Sequence, residues 1–267
     1  EKQPWAWERY QRVRFAENAY AWIGFNQRKA MFSDVATRRA LAMLYPADLV
    51  SKTVTLELEP RTTCPYYPAS KSCDDAVKAL PFDVTRAKAE LKQAGWLEKD
   101  GVLQRAGEKF SFAFLAPAQS VRMAKVLPLY VDVLKTVGID ARIETVDVSA
   151  YMSRVRPHDF DAIALSWASP SAVQDNFQNF HSSQVDEGSN FVGYRSEAVD
   201  ALLEEIRVTY DDAAREALER RVHRLVYDEQ AYLFLTRTTA LDAFKRDVQN
   251  VKPSLRWYDL SELWRSP

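Results

Sequence analysis

"IDARIETVDVSAYMSRVRPHDFDAIALSW", residues 139–167, decides the fold class. Ile139, Ala141 and Ile143 alternate with charged side chains, the period of a strand with one buried face. The pattern turns helical around 150–155, and "FDAIALSW" (160–167) is an apolar run of strand length that ends in Trp167. Strand, short helix and strand in that order predict a right-handed crossover and a parallel pair. Parallel strands need helices on their faces, so the class is α/β.

The rest of the chain supplies the remaining parts. "VRFAENAYAWIGFNQ" (13–27) reads as one or two strands, and "SDVATRRALAMLY" (33–45) as a helix capped by Ser33 with Ala36, Ala40, Leu41 and Leu44 inward. Pro46 can open a further short helix, and Asp83 caps "VTRAKAELKQAG" (84–95). "VLQRAGEKFSFAFLA" (102–116) predicts a hairpin turning at Ala106-Gly107, followed by a helix over 120–137 that Gly138 ends. Val199, Leu202, Leu203 and Ile206 form one helical stripe, and Ala214, Leu218, Val222, Leu225 and Val226 another. "AYLFLTRTTALDAFKRDV" (231–248) closes the pattern with one or two strands.

Composition narrows the function. Lys and Arg number 36 against 37 Asp and Glu among 267 residues, so no long-range field recruits nucleic acid or anionic lipid. The seven glycines form no GxGxxG, P-loop or GxSxG, which removes the usual phosphate cradles and the nucleophile elbow. No apolar run reaches bilayer length, and the opening "EKQPWAWERY" lacks the signal-peptide pattern, as in a processed or truncated chain. His158, His181 and His223 are scattered, so neither a metal nor a cofactor is expected. Ser182 and Ser183 follow His181, but neighbours in sequence do not present both side chains to one substrate atom, so no catalytic residue is assigned. Cys64 and Cys73 lie in a Pro-rich loop, which favours a disulfide over two unrelated thiols and points to an oxidising compartment.

Five blocks in order carry a resemblance. "AWIGFNQRKAMFSDVATRRALAMLYPADLVSKTV" (21–54) resembles the signature "GFN…F.D..VR.AL..A.D...I" of the extracytoplasmic solute-binding proteins of peptide, dipeptide and nickel ABC importers, called family 5. "FDVTRAKAELKQAGW" (82–96), the stretch 134–167, the stretch 190–251 and the tail follow in that family's order. Full-length members are much longer, so the chain is similar to their C-terminal half. The resemblance implies a periplasmic-binding-protein-like α/β lobe at residues 27–237, with a mixed sheet flanked by helices. Residues 1–26 and 238–267 would be strands of the other lobe, with hinge crossings near Asn26 and Arg237.

It also implies a function. The chain would capture a peptide-like or other small solute in an interlobe cleft and deliver it to a membrane permease. It would do so as a monomer, in the periplasm or otherwise outside the cytoplasm, with or without a membrane anchor. Ligands of α/β sheets sit beyond the carboxyl ends of the strands, which makes Trp167, Ser169, Pro170, Ser171, Gln174, Gln119, Asn190, Phe191 and Tyr194 the candidate ligand residues. Peptide binders of the family commonly carry an Asp three residues after this Trp, for the ligand's amine; Pro170 stands there. Some dipeptide binders also carry an Arg in the loop before the long helix, where "APAQS" (116–120) has none. The alternative is the sensing module of a transcriptional regulator built on the same fold; a disulfide favours the importer, and two free thiols the regulator.

Overall fold

The long strand β1 (Tyr10–Phe25) changes character halfway along. From Tyr10 to Glu17 exposure alternates, and from Asn18 to Phe25 every residue is buried, which is what a strand shows when both its faces become covered. These features belong to a computed structural model that describes residues 8–253 except 170 and 172, and residues 258–266. β8 (Leu233–Lys245), antiparallel to β1, makes the same change: Leu233 to Arg237 are buried and the rest is not. The ladder between them shifts register on either side of Tyr20. Each of the two predicted strand regions is thus dominated by one continuous strand.

The remaining elements complete a mixed sheet. In chain order, α1 (Val35–Met43), α2 (Ala47–Val50) and α3 (Val84–Gln93) precede a small three-stranded sheet of β2 (Leu97–Lys99), β3 (Val102–Arg105) and β4 (Glu108–Lys109). Then come β5 (Ser111–Pro117), α4 (Met123–Thr136), β6 (Asp140–Val146), α5 (Val148–Val155) and β7 (Ala162–Ala168). After α6 (Phe177–Phe180), α7 (Glu197–Val208) and α8 (Asp212–Asp228), the chain returns through β8 to a ribbon of β9 (Val248–Gln249) and β10 (Trp264–Arg265). The main sheet runs β6-β5-β7-β1-β8.

Three expectations need correction. β6 and β7 are parallel, but β5 lies between them and pairs with both. The hairpin turns at Ala106-Gly107, both at positive φ, yet its second arm ends at Lys109 and the chain leaves to enter the main sheet as β5. Asp34, not Ser33, caps α1, because its carboxylate accepts the Thr37 N–H (2.7 Å). Asp83 and Asp211 cap α3 and α8 in the same way.

Strand pleating sorts the aromatic residues onto two faces. Phe25, opposite Ala162 and near Phe112 and Phe114, joins Phe32 on the face that α4 covers through Tyr130. Trp22 and Tyr20 point to the other face, which Tyr232, Phe234 and Tyr227 of α8 pack against. Gly24 lies between them with no room for a side chain, since a Cβ would stand 2.4 Å from Val192. Asn26 ties the end of β1 to the start of β7 through the carbonyls of His158 (3.1 Å) and Phe160 (3.0 Å).

Cys64 and Cys73 are disulfide-bonded, with Cα atoms 5.8 Å apart. The loop sits on α8. The Asp74 N–H donates to His223 Nδ1 (2.9 Å), which leaves Nε2–H to donate to the Thr63 hydroxyl (3.1 Å). His223 is therefore held neutral, and burial takes its pKa down to about 4, against the opposing pull of Asp74.

Two outcomes follow from this seat. The double change Cys64→Ser with Cys73→Ser should cost about 2 to 3 kcal/mol in chemical denaturation, by loop-closure entropy; the wild type should show no free thiol when denatured. The unfolded chain protonates His223 near pH 6.5 and the folded chain only near 4, so the unfolded state binds more protons in that window. Stability should fall by up to about 3 kcal/mol as the pH drops from 6.5 to 4, and His223→Gln should remove that part of the slope.

Candidate functional site

Trp167 is the penultimate residue of β7, at the carboxyl end shared by the parallel strands. Four rings stack through it. Tyr232 lies on Trp22 with centroids 3.9 Å apart, Trp22 and Trp167 are 5.9 Å apart, and Trp167 and Phe191 another 5.9 Å, with interplanar angles of 13°, 24° and 21°. The first ring precedes β8, the next two stand on β1 and β7, and the last belongs to the loop before α7. Trp167 is only half-buried, so its ring keeps an open margin although offset rings partly cover both faces.

The loop after β7 is held to β1. Ser169 N–H donates to the Asn18 carbonyl (2.9 Å), and Asn18 Nδ2 donates to the Ser171 carbonyl (2.7 Å). Ser169 and Ser171 close a local turn through the Ser169 hydroxyl. Farther along, Asp175 pairs with Arg207 (2.6 Å), whose guanidinium lies over the Phe177 ring at 3.8 Å. Gln174 is half-buried with Oε1 unpaired. Pro170 lies outside the described residues.

Not every predicted ligand residue is free to meet a ligand. Asn190 is fully buried; its Nδ2 donates to the carbonyls of His181 (3.2 Å) and Tyr194 (2.7 Å), and its Oδ1 accepts from Tyr194 N–H (3.0 Å). Tyr194 is buried too and donates its hydroxyl to Glu229 (2.6 Å). Both hold the loop that delivers Phe191. Gln119 is exposed after β5, at the same end of the sheet as Trp167, but no hydrogen bond joins them. Trp167, Ser169, Ser171 and Gln174 remain on one strand end and its loop, with Phe191 against the ring. His181 Nδ1 does meet the Ser183 hydroxyl (2.8 Å), but it also accepts that residue's backbone N–H (3.1 Å), so the pair closes a turn.

Four buried side chains beside this loop escape a sequence reading. Tyr20, Tyr66, Asn176 and Arg237 are each no more than 5% exposed, and each has a polar atom without a hydrogen-bond partner. Arg237 Nη2 donates to the Cys64 carbonyl (2.5 Å) and to that of Tyr66, and its guanidinium lies 5.6 Å from the Tyr20 ring centre. Burial lowers the pKa of Arg237 to about 10 and raises that of Tyr20 well above its ordinary value. The available signal was an arginine inside the apolar run "AYLFLTRTTAL" (231–241).

Known proteins share this fold. Residues 4–189 match the family described as bacterial extracellular solute-binding proteins, family 5 Middle. The oligopeptide-binding protein AppA of Bacillus subtilis is 26% identical over 257 residues, which cover 92% of this chain and 47% of that protein. The structure of AppA from Bacillus subtilis in complex with a nonapeptide superposes with a TM-score of 0.86 at 24% identity, over 97% of this chain and 53% of that one. NikA from Brucella suis in complex with Fe(III)-EDTA gives 0.82 at 22% identity, over 96% and 53%. The chain thus spans about half the length of the relatives it matches.

Asn190→Ala should test the structural assignment. With three hydrogen bonds lost inside the core, unfolding should become easier by about 2 to 4 kcal/mol, measured by denaturation; an unchanged midpoint would contradict a structural role for Asn190.

Proposed function

The chain belongs to family 5 of the bacterial extracellular solute-binding proteins, and from that premise we propose that it is the solute-capturing part of an ABC importer. It takes a peptide-like or other small solute into a cleft between two lobes and hands it to the membrane permease, working outside the cytoplasm as a monomer. Residues 27–237 are the second lobe, and the flanking segments belong to the first. The crossings lie near Asn26 and Arg237, and the reading is supported by β1 and β8, each buried at that end and exposed in part beyond it.

One observation carries the reading: a half-buried tryptophan stands within a ring stack at the carboxyl end of parallel strands, beside a loop fastened to β1. Flat rings fixed by packing lose little freedom on binding, which suits a recognition surface. The loop offers no free acid, because position 170 is proline and Asp175 is paired with Arg207. It therefore does not read a free α-amine. The Cys64–Cys73 bridge supports the importer over the cytoplasmic regulator, since disulfides persist in oxidising compartments.

Calorimetry on the whole protein tests the wall. Trp167→Ala should cost about 2 to 4 kcal/mol of solute binding, as a central aromatic anchor does, with circular dichroism unchanged; undiminished affinity would make the ring a packing residue. Pro170→Asp should create a preference for free over N-acetylated peptides, and an indifferent variant would contradict the assignment of this loop.

A further inference from the structure

We propose that the buried donors around Arg237 form the anion-reading end of the solute site, taking a carboxylate of the bound solute. The proposal rests on the reading of the Trp167 wall above, and extends it from what the wall rejects to what the neighbouring residues accept.

Position comes from strand register. Tyr20 on β1 lies opposite Trp167 on β7 and opposite Arg237 on β8, so the three form a row across one face of the sheet. Strand spacing puts Arg237 about 10 Å from Trp167. Over the row lie Tyr66, from the disulfide loop, and Asn176, from the loop after β7, close to one another but without the geometry of a hydrogen bond.

Chemistry comes from what is left unpaired. Among the described residues, the Tyr20 and Tyr66 hydroxyls, Asn176 Nδ2, Arg237 Nη1 and the indole nitrogens of Trp22 and Trp167 are buried without a partner. All of them can donate; the acceptors beside them are Gln174 Oε1, Asn18 Oδ1 and the two phenol oxygens, so donors outnumber acceptors and the guanidinium brings a positive charge. Each orphan costs about 1 to 3 kcal/mol, and native proteins seldom gather several in one place. The charge is equally lopsided. Among the described residues Arg237 has no carboxylate in salt-bridge range: Asp175 is paired with Arg207, and Glu219 accepts from Ser72 (2.5 Å). A carboxylate supplies about four lone-pair sites and one negative charge, which matches this surplus of donors around a guanidinium. An ammonium group would meet the like charge of Arg237 and more donors than acceptors.

The phenols make the test clean, because the fold does not use either hydroxyl. The probes are an N-acetylated tripeptide with a free carboxylate and its C-terminal amide, titrated into the whole protein by calorimetry. The acid should bind at least tenfold more tightly than the amide. Tyr20→Phe and Tyr66→Phe should each weaken the acid severalfold, and together erase the preference, while thermal unfolding without probe stays unchanged or rises. Acetate should stabilise the wild type against heat and not the double variant. Equal binding of acid and amide, or a preference that survives both substitutions, overturns the proposal; if that binding still depends on Trp167, the importer reading stands. If neither peptide binds, the acetate comparison decides: the differential effect supports the anion site and counts against a peptide solute, and its absence overturns the anion site.

Discussion

The structure depends on one constraint: the second half of β1 must be buried on both faces while pairing antiparallel with β7 on one side and β8 on the other. From this follow the residues that strand can carry. Gly24 has to be glycine because Val192 leaves no space for a Cβ. Phe25 feeds one aromatic core, while Trp22 and Tyr20 feed the other. Asn18, at the point where burial begins, fastens the loop after β7 by two hydrogen bonds, so the strand that centres the sheet also positions the candidate site.

Much of this was legible in the sequence, for reasons that differ by element. The α7 and α8 stripes are visible because an amphipathic helix writes its buried face into a 3.6-residue period. The cysteine pair was legible because proline-rich loops exclude the thiols from helix and central sheet. The crossover between β6 and β7 was readable as parallel, but not the insertion of β5 between them: alternation reports which face a residue takes and says nothing about which strand lies alongside. The internal hydrogen bonds of Asn190 and Tyr194 were not legible, because an amide or a phenol looks the same in sequence whether it faces a ligand or satisfies a loop's backbone. Tyr20 and Arg237 were missed because each sits in an apolar pattern that fully accounts for its neighbours.

The proposed site has two parts of different character. Around Trp167, rings and a fastened loop offer a surface whose shape is set before a ligand arrives, so little entropy is lost there on binding. Around Arg237, polar groups are buried ahead of any partner, a cost that only a matching group can return. Natural proteins tolerate such local deficits where function requires them.

The most direct test of this account is native mass spectrometry of the whole protein purified from its own source, with identification of the solute it carries. The account predicts a solute that bears a carboxylate and needs no free amine to be retained. A cationic solute without a carboxylate would contradict it.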